Sequence, residues 1–101
     1  MRTLMVRYKV KADRVAENEN YVSKVFDELH KQDPSGFRYA SFKLEDGVSF
    51  VHLVFEGSTN GNNSLGDLSA FQAFVSGIED RCDEPPVATE LTEVGSYRLD
   101  G

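Results

Sequence analysis

The dipeptide Asp46-Gly47 stands between two runs, 37–44 and 48–56, that are rich in aromatic and β-branched residues. An Asp-Gly pair between two such runs is the strongest short-range signal of a β-hairpin, because both residues tolerate the unusual backbone angles of a two-residue turn. Counting outward from that turn predicts these cross-strand pairs: Glu45 with Val48, Lys43 with Phe50, Ser41 with His52 and Tyr39 with Val54.

The segment before the hairpin and the segment after it are each predicted to contain one strand and one helix. Residues 3–11 alternate between apolar and polar, which is typical of a strand, and residues 14–31 place apolar side chains at helical spacing. Residues 57–63 have the composition of a loop, and apolar positions recur every three or four residues from 68 to 82. A second helix is therefore expected to end before Pro85-Pro86, and a fourth strand is expected over 87–99.

Strand, helix, hairpin, helix and strand is the split βαβ order. This order predicts an α+β, ferredoxin-like βαββαβ fold, a four-stranded antiparallel sheet with two helices on one face. The chain has 101 residues. One core is expected at that length, so we predict a single domain over residues 1–101.

The strand pattern divides the side chains between two sheet faces. On the first strand the apolar set is expected beneath the helices. That helix-facing layer is predicted to contain Leu4, Val6, Tyr8, Val10, Ala40, Phe42, Val51, Leu53 and Phe55. The opposite face is predicted to carry Met5, Tyr39, Phe50 and Val54 among Arg7, Ser41, Lys43 and His52. So large an exposed apolar area predicts a contact surface.

His52 is the strongest candidate for chemistry, because an imidazole in mid-strand can act as an acid, a base or a ligand near neutral pH. The alternative is a histidine that is hydrogen-bonded within a dimer interface. Arg7 and Lys43 could bind an anionic ligand or form an interface ion pair. The predicted ligand-binding set is Arg7, Tyr8, Tyr39, Ser41, Phe50 and His52. No metal site is predicted, because no cluster of ligating residues has a recognised spacing.

The net charge, the absence of long apolar runs and the single cysteine limit the expected partners and the expected cellular compartment. The formal net charge is −6, which disfavours nucleic acid and anionic membranes as partners because both attract clustered Lys and Arg. No run approaches the roughly 20 apolar residues of a membrane span. Cys82 is the single cysteine, so no internal disulfide can form. These features predict a soluble protein of a reducing compartment, the cytoplasm.

The element order, the length, the mixed apolar face and the C-terminal segment resemble the dimeric α/β-barrel superfamily, in particular small antibiotic-biosynthesis-monooxygenase-like proteins. The resemblance implies a homodimer in which two sheets pack face to face and residues 94–98 pair with the partner. Members of that superfamily include cofactor-independent oxygenases, isomerases, haem-degrading enzymes and proteins without known activity.

The resemblance therefore implies a homodimer that binds a small organic molecule, as a monooxygenase-like enzyme without a cofactor. The alternative is a non-catalytic protein whose sheet face serves only dimerisation, and a haem-handling relative is a third hypothesis. Some of the oxygenases rely on a tryptophan near the substrate, and this chain contains none. No catalytic residue is carried over from the superfamily for that reason.

Overall fold

The structure is a computed structural model that describes residues 2–33, 37–56 and 68–98. Its elements, in chain order, are β1 (Arg2–Val10), a 3-10 turn (Ala12–Arg14), α1 (Val15–Gln32), β2 (Phe37–Lys43), β3 (Ser49–Glu56), α2 (Ser69–Val75), α3 (Ile78–Arg81) and β4 (Cys82–Leu91). The strands form one four-stranded antiparallel sheet in the order β2-β3-β1-β4. The ferredoxin-like fold expected from the sequence is confirmed.

The β2–β3 hairpin has the predicted register. Lys43 pairs with Phe50, Ser41 with His52 and Tyr39 with Val54. The turn is wider than the predicted two residues, because the Leu44 N–H donates to the Ser49 carbonyl at 2.8 Å and residues 45–48 lie between them. Gly47 adopts φ 78°, and the Asp46 carboxylate accepts from the Ser49 N–H at 2.8 Å.

The core lies between the sheet and the helices. Val25 of α1, Phe74 of α2 and Ile78 of α3 are buried against one face of the sheet. Helix α1 ends at Gln32 and is capped by Asp33, whose backbone has φ 48° and whose N–H donates to the Leu29 carbonyl at 2.7 Å. We call the sheet face beneath the helices the inner face and the opposite one the outer face.

The predicted division of β2 and β3 between the two faces is wrong. On β1 the apolar set points inward as expected, but β1 pairs Tyr8 with Phe50 and Val6 with His52. Directly opposed residues of antiparallel strands share a face, so Phe50, His52 and Val54 point inward with Tyr8. Phe50 is 3% exposed and Val54 is 5% exposed, as expected for core residues.

The second half of the chain departs from the sequence prediction in two places. The predicted helix is interrupted at Gly77, which has φ 105°, so α2 and α3 are short and separate. Strand β4 then begins at Cys82 and contains Pro85-Pro86, the pair before which the second helix was expected to end. Proline is tolerated there because β4 is an edge strand, with β1 as its neighbour. The strand ends at Leu91, short of the predicted 99.

The outer face is predominantly apolar, and the three helices leave it open because they pack on the inner face. Phe42 is 54% exposed and Val87 is 63% exposed. The register places on the outer face the apolar side chains of Met5, Ala40, Phe42, Val51, Leu53, Phe55, Val87 and Leu91, together with the polar side chains of Thr3, Arg7, Lys9, Arg38 and Thr89. The predicted loop over 57–63 lies outside the described residues. Within the described ranges, no helix is long and apolar enough to cross a membrane.

Candidate functional site

His52 occupies the middle of β3, an interior strand of the sheet, and its side chain points toward the helices. It is 3% exposed. Its cross-strand neighbours are Ser41 on β2 and Val6 on β1. Its ring lies 5.2 Å from the Tyr8 ring and 5.5 Å from the Phe74 ring, centroid to centroid. The imidazole is therefore enclosed by aromatic side chains.

Both nitrogens of the His52 ring have hydrogen-bond partners. The Tyr8 hydroxyl lies 2.8 Å from Nε2, and the Tyr39 hydroxyl bonds to Nδ1. The Ser41 hydroxyl is farther from Nε2, at 3.3 Å. Two phenols and a serine thus surround one imidazole, which gives the inner face a compact polar cluster within apolar surroundings.

Burial controls the charge of this cluster. It lowers the pKa of His52 from its usual 6.5 to about 4, because a buried imidazolium loses hydration. Burial likewise raises the pKa values of Tyr8 and Tyr39, since the phenolate would be the charged form. All three side chains are therefore neutral at pH 7, and they interact through hydrogen bonds rather than as ions.

The cluster continues to two residues that were not among the predicted site residues, Asn18 of α1 and Arg81 of α3. Asn18 is fully buried, and its Nδ2 donates to the Tyr8 oxygen at 2.9 Å. Arg81 is 2% exposed, and its Nε donates to Asn18 Oδ1 at 3.4 Å. The available sequence signal was the position of Asn18 on the apolar stripe of α1, where it stands three residues after Val15 and four before Val22.

Arg81 is held by contacts that need no carboxylate. Its Nη2 donates to the Phe74 carbonyl at 2.5 Å, and its guanidinium lies 4.4 Å from the centroid of the Tyr21 ring. A cation over an aromatic face is attracted by the negative face of the ring. In the described part of the chain, every buried side-chain nitrogen and oxygen has a hydrogen-bond partner.

A cavity of about 100 Å³ borders the cluster, between the inner face and the second and third helices. Its exposed wall is almost wholly apolar, although Tyr8, Tyr39 and His52 are among the residues that line it. It is lined by Val6, Tyr8, Tyr39, His52, Val54, Phe71, Phe74, Val75, Ile78 and Pro86. Val75 is 43% exposed, so the cavity approaches solvent on the α2 side. An apolar site with a few convergent polar groups is typical of small-molecule binding sites.

The structure brings four of the six predicted ligand-binding residues together: Tyr8, Tyr39, Ser41 and His52. Phe50 is a core residue whose ring stacks on Tyr8 with centroids 5.5 Å apart, and it does not line the cavity.

Arg7 is exposed on the outer face, so its predicted place on the same sheet face as His52 is wrong. Successive β1 side chains alternate between faces, and Val6 is the residue opposite His52. Lys43 does not join Arg7 either, because it lies on the helix side and pairs with Glu19 of α1 at 2.6 Å. No group of three or more His, Cys, Asp or Glu side chains in the described residues could hold a metal ion.

Comparison with solved structures identifies the same fold in proteins with low sequence identity. A protein from Nitrosomonas europaea that is named as an antibiotic biosynthesis monooxygenase aligns at TM-score 0.77 and 13% identity, over 94% of this chain and 100% of its own. Rv0793 from Mycobacterium tuberculosis aligns at TM-score 0.75 and 12% identity, over 94% of this chain and 96% of its own.

A third solved structure is SnoaB, a cofactor-independent oxygenase from Streptomyces nogalater. It aligns at TM-score 0.68 and 15% identity, over 94% of each chain. Structural neighbours of this chain are thus antibiotic-biosynthesis-monooxygenase-like proteins, as the sequence resemblance implied. Identities this low establish the fold and leave the chemistry to the residues of this chain. No protein-family model and no curated protein sequence matches the chain.

Proposed function

We propose that this chain forms a homodimer that binds a small organic molecule in the cavity beside His52 and oxygenates it without a cofactor. The observation that carries the proposal is the position of the polar cluster. Tyr8, Tyr39 and His52 form a hydrogen-bonded polar point at the wall of an otherwise apolar cavity. Such a point orients a ligand whose remaining surface is apolar.

The size of the cavity sets the ligand class. A dry cavity of roughly 150 Å³ lined by apolar side chains can hold benzene. The cavity here is about 100 Å³ and approaches solvent at Val75. The cavity is smaller than that, so a compound with one ring fits only if part of it lies in the opening on the α2 side. The ring would pack against Phe71 and Phe74, and its polar group would meet Tyr39 and His52.

Oxygenation without a cofactor requires that the substrate supply the electrons. A carbon acid or phenol first loses a proton, and the resulting anion then reduces O₂. For a methylene group the balanced outcome is conversion of CH₂ and O₂ to C=O and H₂O. His52 is neutral at pH 7, and because both of its ring nitrogens are hydrogen-bonded, it would accept that proton by relay through the hydroxyl of Tyr8 or Tyr39. Because burial disfavours imidazolium, the transfer depends on the substrate anion remaining beside the ring.

The proposed dimer rests on the outer face. Phe42 and Val87 are exposed there next to half-buried apolar residues of β1 and β3. Contiguous exposed apolar surface of this kind usually marks a protein contact. Residues 92–98 follow β4 outside the sheet, with Val94 fully exposed, and they are available to pair with a second copy. Native mass measurement tests this part of the proposal: a dimer supports it, and a monomer at micromolar concentration contradicts it.

The enzymatic part is tested with ¹⁸O₂ and a panel of one-ring phenols and 1,3-dicarbonyl compounds, with no metal or cofactor added. Monooxygenation places one ¹⁸O atom in the product and the other in water. His52→Gln is expected to lower kcat about 100-fold, in the range that general acid–base catalysis contributes. His30→Gln, which makes the same chemical change at an exposed position of α1, is the matched control and is expected to retain activity. Saturable binding without any O₂ consumption would favour a non-catalytic binding protein.

A further inference from the structure

A second cavity lies at the C-terminal end of α1, between that helix and the first residues of β2. Its volume is about 190 Å³, and it is lined by Phe26, Leu29, His30, Asp33, Phe37 and Tyr39. We call it the α1-end cavity. In the described part of the chain, β2 is the edge strand on this side of the sheet. The α1-end cavity is therefore reached from the edge of the sheet, away from the α2 side that leads to His52.

The wall of the α1-end cavity is largely aromatic. Phe26 of α1 and Tyr39 of β2 stack with their ring centroids 5.0 Å apart, and the Phe37 ring lies 6.3 Å from the Tyr39 ring. These three rings and Leu29 are half-buried, so they pack against one another and still reach solvent. Apolar surface of this kind is stabilised when methyl or methylene groups cover it. A ligand of this cavity is therefore expected to present an alkyl surface.

The rim of the α1-end cavity is negative. Asp33 lines the cavity and is exposed. Helix α1 ends at Gln32, so the negative end of the helix dipole lies at the same rim. No Lys or Arg is among the lining residues, and Lys31, although close in the chain, is exposed and does not line the cavity. A positive charge is therefore favoured at this rim, and a negative one is repelled.

The aromatic wall and the negative rim together select one class of ligand. An inorganic cation would lose hydration against the apolar wall, and an alcohol would gain little from the carboxylate. An alkylammonium group carries apolar surface and positive charge together, and aromatic side chains attract such cations. The cavity is larger than the roughly 150 Å³ of an apolar cavity that holds benzene, so a trimethylammonium group fits.

We infer that the α1-end cavity is a second binding site, for a small alkylammonium compound whose alkyl groups pack on the aromatic wall and whose charge lies beside Asp33. This site goes beyond the function proposed for the cavity beside His52. The two cavities have Tyr39 as a common wall, and their other lining residues differ. Binding at one site can therefore be measured separately from binding at the other.

Choline and 3,3-dimethylbutan-1-ol test the inference, because they share a shape and differ in a quaternary nitrogen or carbon. Each compound is titrated into isotope-labelled protein at pH 8, with NaCl used to keep the ionic strength constant. The methyl resonances of Leu29 are expected to shift and saturate with choline. Choline is expected to bind about fivefold more tightly than the alcohol, the scale of a cation at a partly exposed aromatic site. The methyl groups of Val54 and Ile78, in the cavity beside His52, are expected to stay unperturbed.

Asp33→Asn removes the charge at the rim and keeps the backbone. Asp33 has φ 48°, and asparagine tolerates this left-handed conformation as aspartate does. The variant is expected to bind choline about threefold more weakly, as for the loss of one exposed charge pair, and to bind the alcohol as before. Asp27→Asn makes the same chemical change at an exposed position of α1 outside the cavity and is expected to retain the preference for choline.

Three results would overturn the inference. Shifts at Leu29 that stay linear in choline concentration would exclude a defined site. Equal affinities for choline and the alcohol, or an unchanged preference in Asp33→Asn, would exclude recognition of a cation by Asp33. Choline shifts centred on Val54 and Ile78 would place its binding in the other cavity. None of these results bears on whether phenols bind beside His52, so the two proposals fail or stand separately.

Discussion

Burial of His52 makes the stability of this fold depend on pH in a defined window. The pKa of His52 falls from its ordinary value of 6.5 to about 4 because the folded protein removes the ring from water. Between those two values the unfolded chain binds a proton that the folded chain does not. The free energy of unfolding therefore decreases as pH falls through this window, and the full contribution of the neutral ring is present above pH 6.5.

The magnitude follows from the two pKa values. Each pH unit of separation is worth about 1.36 kcal/mol, so a decrease from 6.5 to about 4 corresponds to roughly 3 kcal/mol. That is a large share of the 5–15 kcal/mol that is typical of a domain. No discount for solvent screening applies, because His52 is 3% exposed.

Urea denaturation at a series of pH values from 4 to 8, at fixed protein concentration, measures this dependence. The carboxylates also titrate toward the low end, so the quantity of interest is the difference between the unsubstituted protein and His52→Gln. The unsubstituted protein is expected to lose about 3 kcal/mol more than His52→Gln between pH 7 and pH 4. His30→Gln removes the exposed histidine of α1 and is expected to retain the original profile. Parallel profiles for the unsubstituted protein and His52→Gln would refute the reasoning.

Two further substitutions test the buried hydrogen bonds and the backbone, and a third tests the outer face. Tyr8→Phe leaves the buried Asn18 amide without its acceptor and is expected to cost about 2 kcal/mol in urea denaturation, while Tyr97→Phe costs nothing measurable. Equal urea midpoints for Tyr8→Phe and the unsubstituted protein would contradict the assigned hydrogen-bond network. Gly77→Ala is expected to cost roughly 1–2 kcal/mol, because φ 105° disfavours a side chain; an unchanged midpoint would contradict that conformation. Phe42→Asp is expected to yield a monomer by native mass, and a persisting dimer would place the interface elsewhere.

Local patterns predicted much of the fold. The hairpin register follows from the turn and from the alternation on either side of it, and the bounds of α1 follow from the helical spacing of its apolar residues. Both signals lie within short segments. The order of the elements then restricted the possible sheet topologies to a few, because connections in such folds obey handedness rules.

The inner and outer faces of the hairpin could not be told apart from the sequence. Val51, Leu53 and Phe55 alternate on β3 with Phe50 and Val54, so both faces are apolar. The pairing of β1 with β3 decides between them, and that pairing joins residues more than 40 positions apart, as with Tyr8 and Phe50. When one face of the hairpin packs against the helices, the other face lies on the surface.

Only part of the candidate site could be predicted, because its residues also come from distant parts of the chain. His52, Ser41, Tyr39 and Tyr8 stood out because they are polar or amphipathic residues on apolar strands. Asn18 and Arg81 lie on different helices and are 63 positions apart in the chain, and no local pattern connects them. Proline at positions 85 and 86 also misled the prediction, since an edge strand accepts it as readily as a helix end does.

Titration of an isotope-labelled sample with phenol and benzonitrile, followed through methyl resonances, tests ligand binding beside His52 most directly. Saturable shifts are expected for the methyl groups of Val6, Val54 and Ile78, which line the cavity. Val51 and Val87 of the outer face provide the internal control and are expected to stay unperturbed. Shifts confined to the outer face, or none up to the solubility limit of either compound, would contradict a binding site in this cavity.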